Sequence, residues 1–242
     1  MSYAVDTLLH NATVYWEPYP HLVKENALPE TTYRDLAETR LADNVIRAGR
    51  EGDNTRADIP TRFLKGIGVW DELIGYCTSR HFVRDVAAIF GSFIKGYYPW
   101  LDLWTGSVGV RKTGEYDIAT ECQIGVNTPC PVRSRVVGPH LDNPKELYAG
   151  LLYMRGDDEP DGGDLEVLRY IKPPRFEDKR RLPDDYTEVV RTIPYRANTF
   201  VLFINTPESI HSVSPRGPCE QYRRLVNIIG EARKPLFEVP YA

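Results

Sequence analysis

The sequence predicts an α+β chain in which helices come first and an antiparallel double-sheet barrel second. Three observations carry that expectation. Up to about residue 95, apolar residues recur at helical spacing. From about 103 onward the pattern changes to short β-type runs separated by Gly, Pro, Asn and Asp. No linker divides the two regions, so one domain over 1–242 is expected, with 1–100 mainly a helical buttress and 103–232 the barrel core.

The elements follow in order. "LPETTYRDLAETRLADNVIRAG" opens with Pro and acidic residues and closes on Gly, the polarity of a helix start and stop, which predicts a helix near 30–48. A second helical zone covers about 61–95, where Phe82, Val83, Val86, Ala87, Phe90 and Phe93 should face a sheet. The aromatic stretch "GSFIKGYYPWLDLW" reads first as packing between helix and sheet and second as a pocket wall. Eight strands are then predicted in "GSVGVRK", "YDIATECQIGV", "VRSRVVGP", "LYAGLLYM", "DLEVLRYI", "EVVRTIP", "NTFVLFIN" and "YRRLVNIIGE". The Pro-rich, charged "KPPRFEDKRRLPDDY" should leave the barrel as a loop, with the makings of a lid.

Composition narrows the function classes. Charged residues make up 26% and hydrophobic ones 42%, the balance of an ordinary globular protein. The net charge of -4 offers no global positive field to a phosphate backbone, so nucleic acid is not an expected partner. No apolar run approaches the ~18 residues of a membrane span, and the first residues lack the basic-then-apolar pattern of a secretory leader. Cys77, Cys122, Cys130 and Cys219 show no CxxC spacing, which fits reduced thiols and a cytoplasmic setting. The oligomeric state is not legible.

The chemistry concentrates in "GPHLDNP". His140 and Asp142 are two apart, so in an extended segment both side chains point to one side. His211 follows the β-like "TFVLFINTPESIHSV", and a later strand of the same barrel can bring it to the pair. Two imidazoles and one carboxylate form the facial triad of non-heme iron(II) enzymes, with zinc the main chemical competitor. H-x-D alone carries little weight, and its surroundings matter more.

After "HLDNP" come "LYAGLLYM", the turn "DGGDLEVL", "RANTFVLFINTPESIHSVSP" and the basic "YRRLVNIIG". This order resembles the 2-oxoglutarate-dependent iron(II) dioxygenases of the prolyl-hydroxylase-like type over about 130–232, and "WEPYPHLVKENALPE" is similar to their entry segment. A weaker similarity links the chain to small bacterial enzymes that hydroxylate or chlorinate free amino acids. The resemblance implies a jelly-roll, cupin-like double-stranded β-helix. It also implies iron(II) held by His140, Asp142 and His211, with 2-oxoglutarate and O2 as cosubstrates. The carboxylate of Asp142 implies hydroxylation over halide transfer.

In this family an arginine or lysine grips the distal carboxylate of 2-oxoglutarate, and a guanidinium can offer two parallel donors in one plane. Arg223 and Arg224 compete for that role. On a strand Arg223 shares a face with Leu225 and Asn227, and Arg224 with Val226 and Ile228. The family's strand often carries a second polar residue four after its anchor, so the resemblance, through Asn227, favours Arg223. The spacing from His211 is slightly longer than the family's common one, which keeps Arg216 as a weaker candidate. Tyr153 matches a tyrosine that helps hold the same carboxylate in some relatives, and reads equally well as a core tyrosine. Asn143, Asn227, Glu121, Gln123 and Arg135 are the candidate substrate contacts. The expected substrate is a small molecule, an amino acid or derivative. A protein or peptide side-chain hydroxylase and a non-catalytic ligand-binding barrel are the alternatives.

Overall fold

A computed structural model describes residues 3–39, 52–59, 61–176 and 180–241. Among the described residues, helices α1 (Glu30–Ala37), α2 (Gly68–Cys77) and α3 (Arg80–Tyr97) accompany eleven strands. These are β1 (Thr13–Tyr15), β2 (His21–Lys24), β3 (Arg56–Ile59), β4 (Val108–Val110), β5 (Ile118–Asn127), β6 (Glu146–Tyr153), β7 (Leu165–Tyr170), β8 (Thr187–Ile193), β9 (Phe200–Ile204), β10 (His211–Val213) and β11 (Arg223–Ala232). The larger sheet runs β1-β2-β9-β6-β11-β5-β3, with β4 parallel to β5, and the smaller sheet runs β10-β7-β8. The two sheets form a jelly roll of the double-stranded β-helix kind, without a hydrogen-bonded closure into one barrel among the described residues.

Alternation along the strands of the larger sheet decides which face each side chain meets. Cys122, Ile124, Val126, Phe200, Leu202, Ile204, Val226 and Ile228 point to one side and join the buried stripes of α2 and α3 in one apolar core. Helix α3 forms where it does because Ser79 caps it: the serine Oγ accepts from the backbone N–H groups of His81 and Phe82. Its stripe Phe82, Val83, Val86, Ala87, Phe90 and Ile94 is buried, as the spacing predicts. On the other side of the sheet Ala149, Tyr153, Val201, Phe203 and Leu225 pack with Leu165, Val167 and Ile193 of the smaller sheet.

Several elements differ from the sequence reading. "VRSRVVGP" is a loop: among the described residues it is tied by an isolated bridge between Ser134 and Arg216 and by Val213 N donating to Val137 O at 3.2 Å, pairing too sparse for a ladder. The zone 61–95 breaks between α2 and α3 at Thr78, where the Ser79 cap restarts the helix. Helix α1 stops at Ala37, and the rest of the expected helix to 48 falls largely on residues 40–51, outside the described ones. Strands β1, β2 and β3 join the larger sheet from the first 59 residues, so that region is not only helical. Each is three or four residues long, too short to show a period.

The charged loop at 172–186 packs down on the strand edge. Phe176 and Leu182 are buried with Leu141, Leu168 and Ile210, and the Leu141 and Leu182 backbones bond to Arg180 and Pro139. Residues 177–179 lie outside the described ones.

Candidate metal centre and its pocket

His140 sits in an extended segment that pairs with β10, where His140 N donates to His211 O at 2.9 Å and His211 N to His140 O at 3.1 Å. This pairing places two histidines that are far apart in sequence side by side, with ring centroids 4.3 Å apart. Each imidazole is fixed from behind. The Nδ1 of His140 lies 2.9 Å from the carbonyl of Gly138, and that of His211 lies 2.9 Å from the carbonyl of Ser209. A carbonyl can only accept, so Nδ1 carries the proton in both rings and Nε2 is left with its lone pair.

Both Nε2 atoms face Asp142. Asp142 Oδ1 is 3.8 Å from Nε2 of His140, and Oδ2 is 3.8 Å from Nε2 of His211. The three donor groups lie within 4.8 Å of one another. Donors on one face of an ion with bonds of roughly 2.1 Å are about 3 Å apart, so closing around a metal takes a contraction of about 1 Å. Tautomer, donor type and convergence all suit a divalent first-row metal. Burial, with His211 next to it, lowers the His140 pKa to about 4, against the opposing pull of Asp142, which keeps that ring neutral as a ligand must be.

The triad opens on a pocket of about 570 Å³ between the two sheets. Arg223 lies in the same pocket. Its guanidinium is buried, donates through Nε and Nη2 to Gly163 O at 3.0 and 2.7 Å and through Nη1 to Asn127 Oδ1 at 3.3 Å, and meets no carboxylate among the described residues. One hydrogen remains on each terminal nitrogen. Its charge persists at any ordinary pH, so its burial calls for an anion. The Tyr195 ring lies 4.4 Å from the guanidinium carbon and the Tyr153 ring 5.5 Å.

Two further donors support that need. Tyr153 Oη and Asn127 Nδ2 are buried and have no hydrogen-bond partner among the described residues. Burial pushes the Tyr153 pKa up to about 12, so its hydroxyl keeps its proton to donate. Gly163 is required here: its φ is +77°, and a Cβ would come 2.9 Å from Arg223 Nε.

The remaining predicted residues divide between this pocket and other places. Asn227 lines it beside Leu225 and Leu151. Arg224 points to the helix side, where its Nη1 donates to Ala37 O at 3.3 Å, and it does not line the pocket. Arg216 is buried outside it, with Nη2 on Thr128 O at 2.5 Å. Glu121 is bound to Arg111 at 2.7 Å and Arg135 to Asp184 at 2.8 Å, so both charges are already met by surface partners. Gln123 faces the same side as Asn127 without reaching the pocket lining, and Asn143 folds onto its own turn, accepting from Lys145 N at 3.1 Å.

The sequence reading missed Asn127, Glu146, Arg180 and Arg181, which all line the pocket. Asn127 continues the alternation of Glu121 and Gln123, a signal that could have found it. Glu146 is half-buried, and among the described residues its carboxylate makes no hydrogen bond or ion pair. Burial and the neighbouring Asp142 push its pKa up to about 8.

No protein-family model and no curated protein sequence match the chain. Solved structures do. A prolyl 4-hydroxylase of Phytophthora capsici is 15% identical with a TM-score of 0.50, covering 88% of this chain, which in turn spans only 58% of that one. The α-ketoglutarate-dependent epimerase SnoN from nogalamycin biosynthesis is 9% identical with a TM-score of 0.51, over 88% of this chain and 76% of that one. SnoN in complex with Fe3+, α-ketoglutarate and nogalamycin RO scores 0.50 at 9% identity, over 88% and 78%. The fold is that of the non-heme iron, 2-oxoglutarate-dependent oxygenases. No helix among the described residues is long and apolar enough to cross a membrane.

Proposed function

We propose that the protein is an iron(II)- and 2-oxoglutarate-dependent oxygenase that oxidises an unactivated C–H bond of a small molecule, an amino acid or derivative. The observation that carries this reading is one pocket lined both by the His140–Asp142–His211 triad and by the buried, carboxylate-free Arg223. His140, Asp142 and His211 would hold iron(II), and Arg223, with Tyr153 and Asn127, would hold the distal carboxylate of 2-oxoglutarate. Iron with 2-oxoglutarate and O2 supplies the oxidising power, with succinate and CO2 as co-products.

The chain's own groups would orient and shield. Val136, Val137, Leu165, Phe203 and Val213 line the pocket and exclude water around the reacting carbon. Glu146 would meet the ammonium group of the substrate: among the described residues its carboxylate makes no hydrogen bond or ion pair, and a cation beside it would favour its charged form. Asn227 would add a neutral hydrogen bond.

The test has two stages. Anaerobic addition of iron(II) and 2-oxoglutarate together should give a weak visible charge-transfer band. Its absence from folded protein would sink the reading in favour of another barrel function. Succinate release should then be stimulated by free amino acids or their derivatives. Stimulation by peptides alone would move the reading to a protein hydroxylase, and a band without any turnover would leave a binding barrel.

A further inference from the structure

A pair of thiols lies outside this pocket, where the chain leaves β5 past Asn127 and returns toward Arg223. Cys130 and Cys219 face each other across an isolated antiparallel bridge, with Cys130 N donating to Cys219 O at 3.0 Å and Cys219 N to Cys130 O at 2.8 Å. A pair that exchanges both backbone bonds has its Cα atoms about 5.5 Å apart. That falls inside the roughly 4.4–6.8 Å window that a disulfide spans. The sulfurs are 3.8 Å apart as thiols, Cys130 Sγ resting on Gly217 O at 3.1 Å. Cys130 is buried and Cys219 is half-buried, so one sulfur of the pair can be reached from solvent.

We propose that Cys130 and Cys219 form a peroxide-sensitive disulfide site, closed by side-chain rotation with the backbone bridge intact. The Cys219 thiolate attacks one peroxide oxygen. The O–O bond breaks, the departing hydroxide takes a proton and leaves as water, and Cys219 keeps a sulfenic hydroxyl. Cys130 then gives up its proton and attacks that sulfur. The S–S bond forms, the S–O bond breaks and a second water leaves, two electrons having passed from the thiols to the peroxide. Arg216 helps the first step by favouring the thiolate, while burial pushes the Cys219 thiol up, so the reaction should quicken as pH rises.

The other close pair, Cys77 and Cys122, is sealed in the apolar core on the helix side and has no such access. The Cys130–Cys219 bond would join residues 89 positions apart and so restrain a long loop of the unfolded chain. It would also staple the region where Arg216 holds Thr128 O.

The full chain treated with hydrogen peroxide, then quenched and digested without reductant, decides the matter. The expected result is a mass loss of about 2 Da with one Cys130–Cys219 linked peptide that dithiothreitol removes. The thermal midpoint should rise by about 5 °C or more in the parent, and Cys219→Ser should show neither change. Sulfinic acid at Cys219 without a link, or a Cys77–Cys122 link instead, would overturn the proposal. A linked product with a lowered midpoint would overturn it too, because the backbone would then have had to move. None of these readouts depends on metal or 2-oxoglutarate.

Discussion

The two faces of the larger sheet carry opposite chemistries on the same strands. On the helix side, Val126, Leu202, Val226 and Ile228 enter a core with α2 and α3 in which nearly every contact is apolar. On the pocket side the same strands present Asn127, Tyr153, Arg223 and Asn227. The helix face is held by packing, the main source of stability, and its two buried donors without a hydrogen-bond partner among the described residues, Trp70 Nε1 and Tyr148 Oη, are neutral. The pocket face also keeps buried donors without acceptors among those residues and adds a charged guanidinium without a carboxylate, arrangements that cost stability in the unliganded chain. Sites of this kind are expected where a ligand completes the pairing.

That contrast should break most sharply at the triad. His211→Ala or Asp142→Ala is expected to cut iron- and 2-oxoglutarate-dependent succinate formation by at least about a thousand-fold, with the circular dichroism of the folded chain retained. Full activity in either variant would remove that residue from the metal site. The opposite face should respond oppositely. Phe90→Ala, on the fully buried stripe of α3, should cost about 3–5 kcal/mol in denaturant unfolding. The affinity of the remaining folded protein for 2-oxoglutarate should stay unchanged.

The next largest difference is between neighbours on one strand. Arg223→Lys keeps the charge and loses the planar fork, so it should raise the 2-oxoglutarate KM by about 30-fold, some 2 kcal/mol. Arg224→Lys, on the helix face, should change it little. Equal effects would mean that the sheet's two faces do not divide the labour in this way.

A further difference is in pH dependence, measured by thermal denaturation without metal. The His140 pKa is lowered from 6.5 to about 4, so the unfolded chain binds the proton more readily, and stability should fall as pH drops through that interval. The Glu146 pKa is raised from 4.5 to about 8. The folded chain keeps a proton that the unfolded chain releases, so this contribution is full below 4.5 and is lost as pH rises through about 8. The midpoint advantage of Glu146→Gln over the parent should therefore widen between pH 5 and pH 8. A constant difference would show that Glu146 titrates normally.

Much of this arrangement is written in local pattern. The stripe of α3, the long strands β5, β6, β9 and β11, and the H-x-D segment can be read because helical and strand periods are set by backbone geometry within a few residues. The short strands β1, β2, β3 and β10 exist only through their neighbours' hydrogen bonds, and their three or four residues cannot display a period. The same limit applies at the site. Glu121 and Arg135 looked available until the pairing of β4 with β5 brought Arg111 to the first and the fold brought Asp184, 49 positions away, to the second.

Sequence alone established the alternation that puts Arg223 and Arg224 on opposite faces, because side-chain direction in a strand is a local property. Which face became the pocket was settled by tertiary structure. The helices covered one side of the sheet, the smaller sheet stood off the other, and the backbone pairing of His140 with His211 brought the triad to the open side. Burial and partnership are non-local quantities: a charge is free or neutralised only once the rest of the chain has packed around it.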